Sequence, residues 1–288
     1  MTYARRRHGR EGAPALSVTG LGEVVEPRPK PEKVCASAPP RVERARRCSA
    51  MSLGLVLLVG CAAIVGSPEG ARCERPGTIT YAAVDVSGSA RRRAILEGHL
   101  DVVRAAARRA GACGGHLRVA AFSSSIAASA VLFDAVLAPE GATDIARSRR
   151  LPGVVDDAMR AIESNLSGAL DALPAHGTDV SAQLTHAAEI WDQLGRSRPL
   201  DVYVLTDGVA TAGVDLHRAL RPAAAKKLAL RPSVPKLHGA RVTFAGIGRH
   251  AGAPNASSFV EVLKTYWRIV CRRTGATCRV VTDFASGA

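Results

Sequence analysis

Aromatic residues are scarce, with five Phe, four Tyr and two Trp making up 4% of a 288-residue chain. Basic side chains therefore have no aromatic partners interleaved among them, so nucleic-acid binding by base stacking is not expected. No Gly-Lys-Ser/Thr loop stands ready to cradle phosphates, and no Gly-x-Ser-x-Gly elbow exposes a nucleophilic serine. Apolar runs long enough to span a bilayer are also lacking. The longest, Met51 to Gly66, has about 16 residues, against the ~20 a spanning helix needs. There is no internal repeat.

What the chain has in excess is positive charge, a formal net of +14. Residues 1–60 hold eleven Lys/Arg and five Asp/Glu, a net of +6, leaving +8 for the remainder. In that remainder the basic residues are scattered, as at Arg91 to Arg93, Arg147 to Arg150 and Lys226-Lys227. Such scatter describes a solvated basic surface rather than a nucleic-acid footprint.

The amino-terminal third changes character twice. Residues 1–40 are rich in Pro and Arg without an apolar period, which predicts disorder; initiation near Val42 or Met51 would leave them untranslated. Residues 41–66 pair a basic flank, Arg41 to Arg47, with the apolar run, the layout of an export signal or membrane anchor. Within it Leu58-Val59-Gly60-Cys61 resembles the bacterial lipobox, which implies lipidation of Cys61. Either version exports the chain beyond residue 66, because the positive flank stays in the cytoplasm. Residues 67–76 read as a linker. The expected location is the extracytoplasmic side of a bacterial cell membrane, attached by a lipid or the apolar segment.

Cysteine usage agrees with export. Beyond Cys61 there are four, an even number that permits two disulfides. Cys73 precedes the first expected strand, Cys113 the second, and Cys271 and Cys278 bracket the turn before the last. Neighbouring first and second strands predict Cys73–Cys113, leaving Cys271–Cys278. All four then lie at the amino ends of strands.

From residue 77 to 286 strands alternate with helices. The expected strands are 78–84, 116–123, 130–137, 199–206, 241–247 and 279–284. The third comes after a Ser/Ala turn and forms a hairpin-like edge. Expected helices are 91–110, 154–173, Thr178 or Asp179 to 194, 216–230 with a break at Pro222, and 257–272. Pro139 to Arg150 reads as a polar loop. This alternation predicts an α/β fold: a doubly wound, mainly parallel six-stranded sheet with helices on both faces. Ligands of such sheets bind at the strands' carboxyl ends, at the topological switch point.

Three separated pieces point there. Asp85-Val86-Ser87-Gly88-Ser89 leaves the first strand with oxygens at alternate positions, a set that suits a hard divalent cation. Thr178 sits in a Gly-containing loop before a helix, and Asp207 ends the fourth strand ahead of Gly208. Taken singly, each also fits an ordinary turn or cap. His176, beside the Thr178 loop, reads as an exposed loop residue. The sequons at Asn165 and Asn255 read as chance.

In order and context these pieces resemble the metal-ion-dependent adhesion site of the von Willebrand factor A domain, Asp-x-Ser-x-Ser, then Thr, then Asp. The resemblance covers about residues 76–286. It implies Mg²⁺, with Mn²⁺ as second choice, held directly by Ser87, Ser89 and Thr178 and through waters by Asp85 and Asp207. It also implies a protein partner that offers an Asp or Glu carboxylate to an open coordination position. Arg91-Arg92-Arg93 departs from the usual pattern, and the long connection from Thr211 to Gly239 leaves that edge open.

The rival class is an enzyme. A strand ending in Asp at a switch point also describes phosphotransferases of the haloacid dehalogenase type, with Asp85 as nucleophile. Their general acid would stand at Ser87, which cannot perform acid/base work near neutrality. Binding rather than catalysis is the expectation. A third reading keeps the fold as a structural subunit of an envelope complex.

Overall fold

A computed structural model describes residues 73–216, 221–250 and 255–287. The expected disorder of residues 1–40, the export segment 41–66 and Cys61 lie outside these. Six strands form one sheet: β1 (Ile79–Asp85), β2 (His116–Phe122), β3 (Ser129–Val136), β4 (Leu200–Leu205), β5 (Arg241–Ala245) and β6 (Thr277–Val280). Between them run helices α1 (Arg93–Ala112), α2 (Asp144–Ala172), α3 (Val180–Leu194), α4 (Pro222–Leu228) and α5 (Ser257–Arg273).

The spatial order is β3-β2-β1-β4-β5-β6. The chain moves outward from β1 to β2 and β3, then returns to the other side of β1 as β4. β1 and β4 pair in parallel from Ile79 opposite Leu200 to Val84 opposite Leu205. The switch point therefore lies between their carboxyl ends.

The sheet is mixed rather than wholly parallel, because β3 runs antiparallel to β2. Only residues 123–128 connect the two, closed by the Ser123 and Ala128 backbone bonds of 3.0 Å. So short a connection cannot hold a crossover helix, and reversal is the remaining geometry.

Both faces are covered, which explains the composition of the central strands. On β1, Ile79, Tyr81 and Ala83 face one apolar core with α3 and α5, while Ala82 and Val84 face another with α1 and α2. Every residue of β1 and β4 is buried, as expected for strands sandwiched between helix layers.

Three expectations are corrected. The polar stretch 139–150 is helical from Asp144, since the Thr143 hydroxyl accepts from the Ala146 N–H at 3.2 Å and starts α2. The helix continues through Pro152, whose missing donor would have served the exposed carbonyl of Ser148, while Leu151 packs against Gly111. The last strand ends at Val280 rather than Phe284. There the chain turns so that Phe284 packs edge-on against His99, ring centroids 5.1 Å apart, and the 3₁₀ turn Ala285–Gly287 comes next. Finally, the helix expected over 216–230 reduces to α4, opened by Pro222 at its first turn; residues 217–220 lie outside the described ones.

Cys73–Cys113 and Cys271–Cys278 are both disulfide-bonded, with Cα separations of 4.8 and 6.0 Å. The first joins the entry of β1 to the end of α1. The second joins the last turn of α5 to β6. Two such bonds fit an oxidising, extracytoplasmic compartment. Among the described residues no helix is long and apolar enough to cross a membrane.

Candidate functional site

Asp85 is the last residue of β1 and is fully buried. Its Oδ1 accepts from the Ser87 N–H at 2.8 Å, which bends the chain as it leaves the strand. Its Oδ2 accepts from the Thr206 hydroxyl at 2.7 Å, and that hydroxyl accepts in turn from the Gly208 N–H at 3.1 Å. The Ser87 and Ser89 hydroxyl oxygens stand 3.4 Å apart.

Asp207 lies just beyond β4. Its Oδ1 accepts from the Val209 N–H at 2.8 Å. The turn after it depends on Gly208, at φ +76°. A Cβ there would stand 2.7 Å from Ile247 Cδ1 and 3.0 Å from Trp267 Nε1. Trp267 Nε1 donates to the Gly208 carbonyl at 2.8 Å, so α5 holds this turn from behind.

The loop that carries Thr178 is held by hydrogen bonds to three neighbours. The Gly88 N–H donates to the Ala175 carbonyl at 2.6 Å, and the Asp179 N–H to the Ser123 carbonyl at 2.9 Å. The Thr178 N–H donates to Thr211 Oγ1 at 3.0 Å, and the Thr211 N–H returns a bond to the Thr178 carbonyl at 3.1 Å. Asp179 caps α3 by accepting from the Ala182 N–H at 3.0 Å. The loops after β1, before α3 and after β4 are thus laced together.

A cleft of about 290 Å³ opens over them, lined by Ser87, Ser89, Thr178 and Asp207 among others. Asp85 lies beneath its floor. Four of the five sequence-predicted residues line one cleft, and the fifth is bonded to their loop. His176 is exposed and does not line it. Arg91 is not a free steering charge, because it donates to the Val86 and Leu173 carbonyls at 2.8 and 2.6 Å.

Electrostatics set the character of the site. Burial, and then the neighbouring Asp207 charge, push the Asp85 carboxyl up from 3.8 to about 7; the Thr206 and Ser87 bonds oppose this. Burial likewise raises Asp207, against the Val209 bond and the Ser89 hydroxyl. Two carboxylates held close together in buried surroundings disfavour their shared ionisation. A cation between them would relieve that cost. Among the described residues no group of three or more His, Cys, Asp or Glu could hold a metal ion. The donors here are two carboxylates and three hydroxyls, a hard oxygen set that fits Mg²⁺ better than a softer ion.

Sequence reasoning missed Thr206, Thr211, His250, Asn255 and Phe259. Thr206 precedes Asp207 and reads simply as the end of a strand. Thr211 opens a connection without periodicity. His250, Asn255 and Phe259 wall the cleft from the β5–α5 side, and their only signal was the Gly248 turn that precedes them.

No family model matches the chain, and no curated protein matches it. Among solved structures it is similar to proximal thread matrix protein 1 from the mussel byssus, at 18% identity and TM-score 0.41 over 75% of this chain and 46% of that one. It is also similar to the conserved hypothetical protein BatB from Bacteroides thetaiotaomicron, at 12% identity and TM-score 0.38, over 73% of this chain and 94% of that one. A third likeness is to the pilus adhesin SpaC from Lactobacillus rhamnosus GG, at 12% identity and TM-score 0.40, over 74% of this chain and 28% of that one. The chain thus spans about half the length of the mussel protein and under a third of the adhesin's.

Proposed function

We propose that this chain is an extracytoplasmic binding domain of the von Willebrand factor A type, acting through a Mg²⁺ site at the β1–β4 switch point. The observation that carries the reading is the pairing of buried Asp85 and Asp207 beside the Ser87 and Ser89 hydroxyls. Ser87, Ser89 and Thr178 would hold the ion directly, and Asp85 and Asp207 through ordered waters, with Mn²⁺ as second choice. Bound there, the ion would supply Lewis acidity at an open coordination position, suited to an Asp or Glu carboxylate of a protein partner.

The chain's own residues prepare that position. Thr206 and the Ser87 N–H orient the Asp85 carboxylate. The Val209 N–H orients the Asp207 carboxylate. Phe259 gives the cleft wall an apolar side. A phosphotransferase reading is disfavoured because Ser87 occupies the place of the general acid. Attachment to the cell envelope, through Cys61 or the apolar run around it, is part of the proposal. The two disulfides support the compartment.

Two measurements test this reading. Titration calorimetry of the full chain should show Mg²⁺ binding that Asp85→Ala abolishes while cooperative unfolding persists. Capture of a partner should then be lost on adding chelator and regained with Mg²⁺. Equal Mg²⁺ affinity in Asp85→Ala would overturn the site, and chelator-resistant capture would overturn its role in recognition.

A further inference from the structure

A second cavity, of about 220 Å³, lies at the opposite, amino edge of the sheet. It is bounded by the starts of β1, β4 and β5 and the last turn of α1. Its lining carries three guanidinium groups, Arg75, Arg109 and Arg241, and two carboxylates, Glu74 and Asp201. The carboxylates are already engaged. Asp201, 5% exposed, accepts from Arg75 Nη2 and from Arg241 Nε and Nη2 at 2.9 and 2.8 Å. Glu74 accepts from Arg241 Nη1 at 3.1 Å.

One guanidinium is left largely unspent. Among the described residues Arg109 has no carboxylate partner. Its guanidinium lies over the Tyr203 ring, 5.4 Å from the centroid, and Nη2 donates to the Tyr203 hydroxyl at 3.0 Å. That leaves most of its five N–H donors unspent. Arg75 is already committed, its Nη2 donating to Asp201 and its Nε buried without surface open to the cavity. The buried Thr80, on the same wall, adds a hydroxyl.

We propose that this cavity binds a phosphate group, with Arg109 as its principal donor. Three cations against two anions leave one positive charge unmatched in the lining. Guanidinium forks suit tetrahedral oxyanions because two parallel N–H bonds reach two oxygens at once. The volume also fits: at ~30 Å³ per water, the space exceeds what one or two waters fill. The end of α1 faces the cavity with its negative pole, worth roughly half a charge. Its Arg109 and Ala110 carbonyls are already taken by the Cys113 and Gly115 N–H groups, so the unmatched guanidinium outweighs them.

The phosphate could be free in solution or part of a lipid headgroup, and the two sources separate experimentally. The full chain is titrated calorimetrically with inorganic phosphate in chelator, so that no metal at the Asp85 site contributes. It is also floated with phosphatidylglycerol vesicles, against phosphatidylcholine vesicles as reference. Saturable heat without flotation assigns free phosphate; flotation competed by inorganic phosphate assigns the headgroup. Either supports the proposal provided Arg109→Gln weakens it about tenfold or more, the loss expected for charge-assisted bonds. Arg109→Lys, which keeps the charge but loses the fork, should fall between. Arg93→Gln removes an equal charge from a side chain 92% exposed and should change nothing. Neither heat nor flotation, or equal loss in Arg93→Gln and Arg109→Gln, would overturn the proposal. Thermal melts of all three variants establish that each is folded.

Discussion

Thr206 and Asp85 are 121 positions apart, yet the Thr206 hydroxyl donates to Asp85 Oδ2 across 2.7 Å at the point where β4 and β1 end side by side. The same hydroxyl accepts from the Gly208 N–H, so one small side chain joins the first carboxylate to the turn carrying the second. Its consequence is testable. Thr206→Val keeps the shape but leaves a buried carboxylate oxygen and an N–H without partners, at ~1–3 kcal/mol. Urea midpoints should fall accordingly, and Mg²⁺ affinity by calorimetry should weaken about tenfold. A variant matching wild type in both would refute the role assigned to Thr206.

The raised Asp85 carboxyl gives the metal-free protein an unusual pH dependence. The folded chain keeps this proton up to about pH 7, whereas an unfolded aspartate releases it near 3.8. Between those values the folded state binds more protons, so this group's contribution to stability falls as pH rises. In chelator, Asp85→Asn should gain on wild type between pH 4 and 8, by on the order of 3 kcal/mol. Saturating Mg²⁺ should shrink that gap by favouring the ionised wild-type carboxylate. Parallel stability curves for the two proteins in chelator would disprove it.

His99 works in the opposite direction. It is buried against Phe284, neither ring nitrogen has a hydrogen-bond partner among the described residues, and burial pushes it down from 6.5 to about 3. Since the unfolded chain takes up the proton first, stability is lost as pH falls below 6.5. His99→Leu should therefore resist acid better, with a relative gain of about 2 kcal/mol between pH 7 and pH 4.5. Denaturant melts at the two pH values check it, and an unchanged difference would count against the buried neutral imidazole.

The two disulfides should contribute unequally. Sequence separations of 40 and 7 residues correspond, in the chain-entropy account, to about 4 and about 2 kcal/mol of lost unfolded-state freedom. Cys73→Ser with Cys113→Ser should lower the melting temperature more than Cys271→Ser with Cys278→Ser. The reverse order would show that native packing, rather than loop closure, dominates.

Much of this was readable in the chain because it rests on local chemistry. Strand-forming runs bounded by Gly, Asp and Pro located β1, β2, β4 and β5 to within two residues at either end. Asp85, Ser87 and Ser89 stand out because alternation at a strand exit is a property of neighbours. The disulfide pairs could be read from which strands begin beside each cysteine. The start of α2 escaped a local reading because residues 139–150 are polar, while the burial of Leu151 that favours helix there comes from distant Gly111.

Local pattern could nominate Asp85, Thr178 and Asp207, since each residue type and its turn are encoded within a few positions. Folding alone decided that Asp85 sits beneath the cleft while Ser87, Ser89, Thr178 and Asp207 line it, and that Thr206 joins Asp85 to the turn that carries Asp207. It alone also brought Arg75, Arg109 and Arg241 around Asp201. Those outcomes depend on which strands become neighbours and on how deeply each group is buried. Neighbourhood and burial are properties of the packed sheet, summed over residues more than a hundred positions apart, and no short window of sequence carries them.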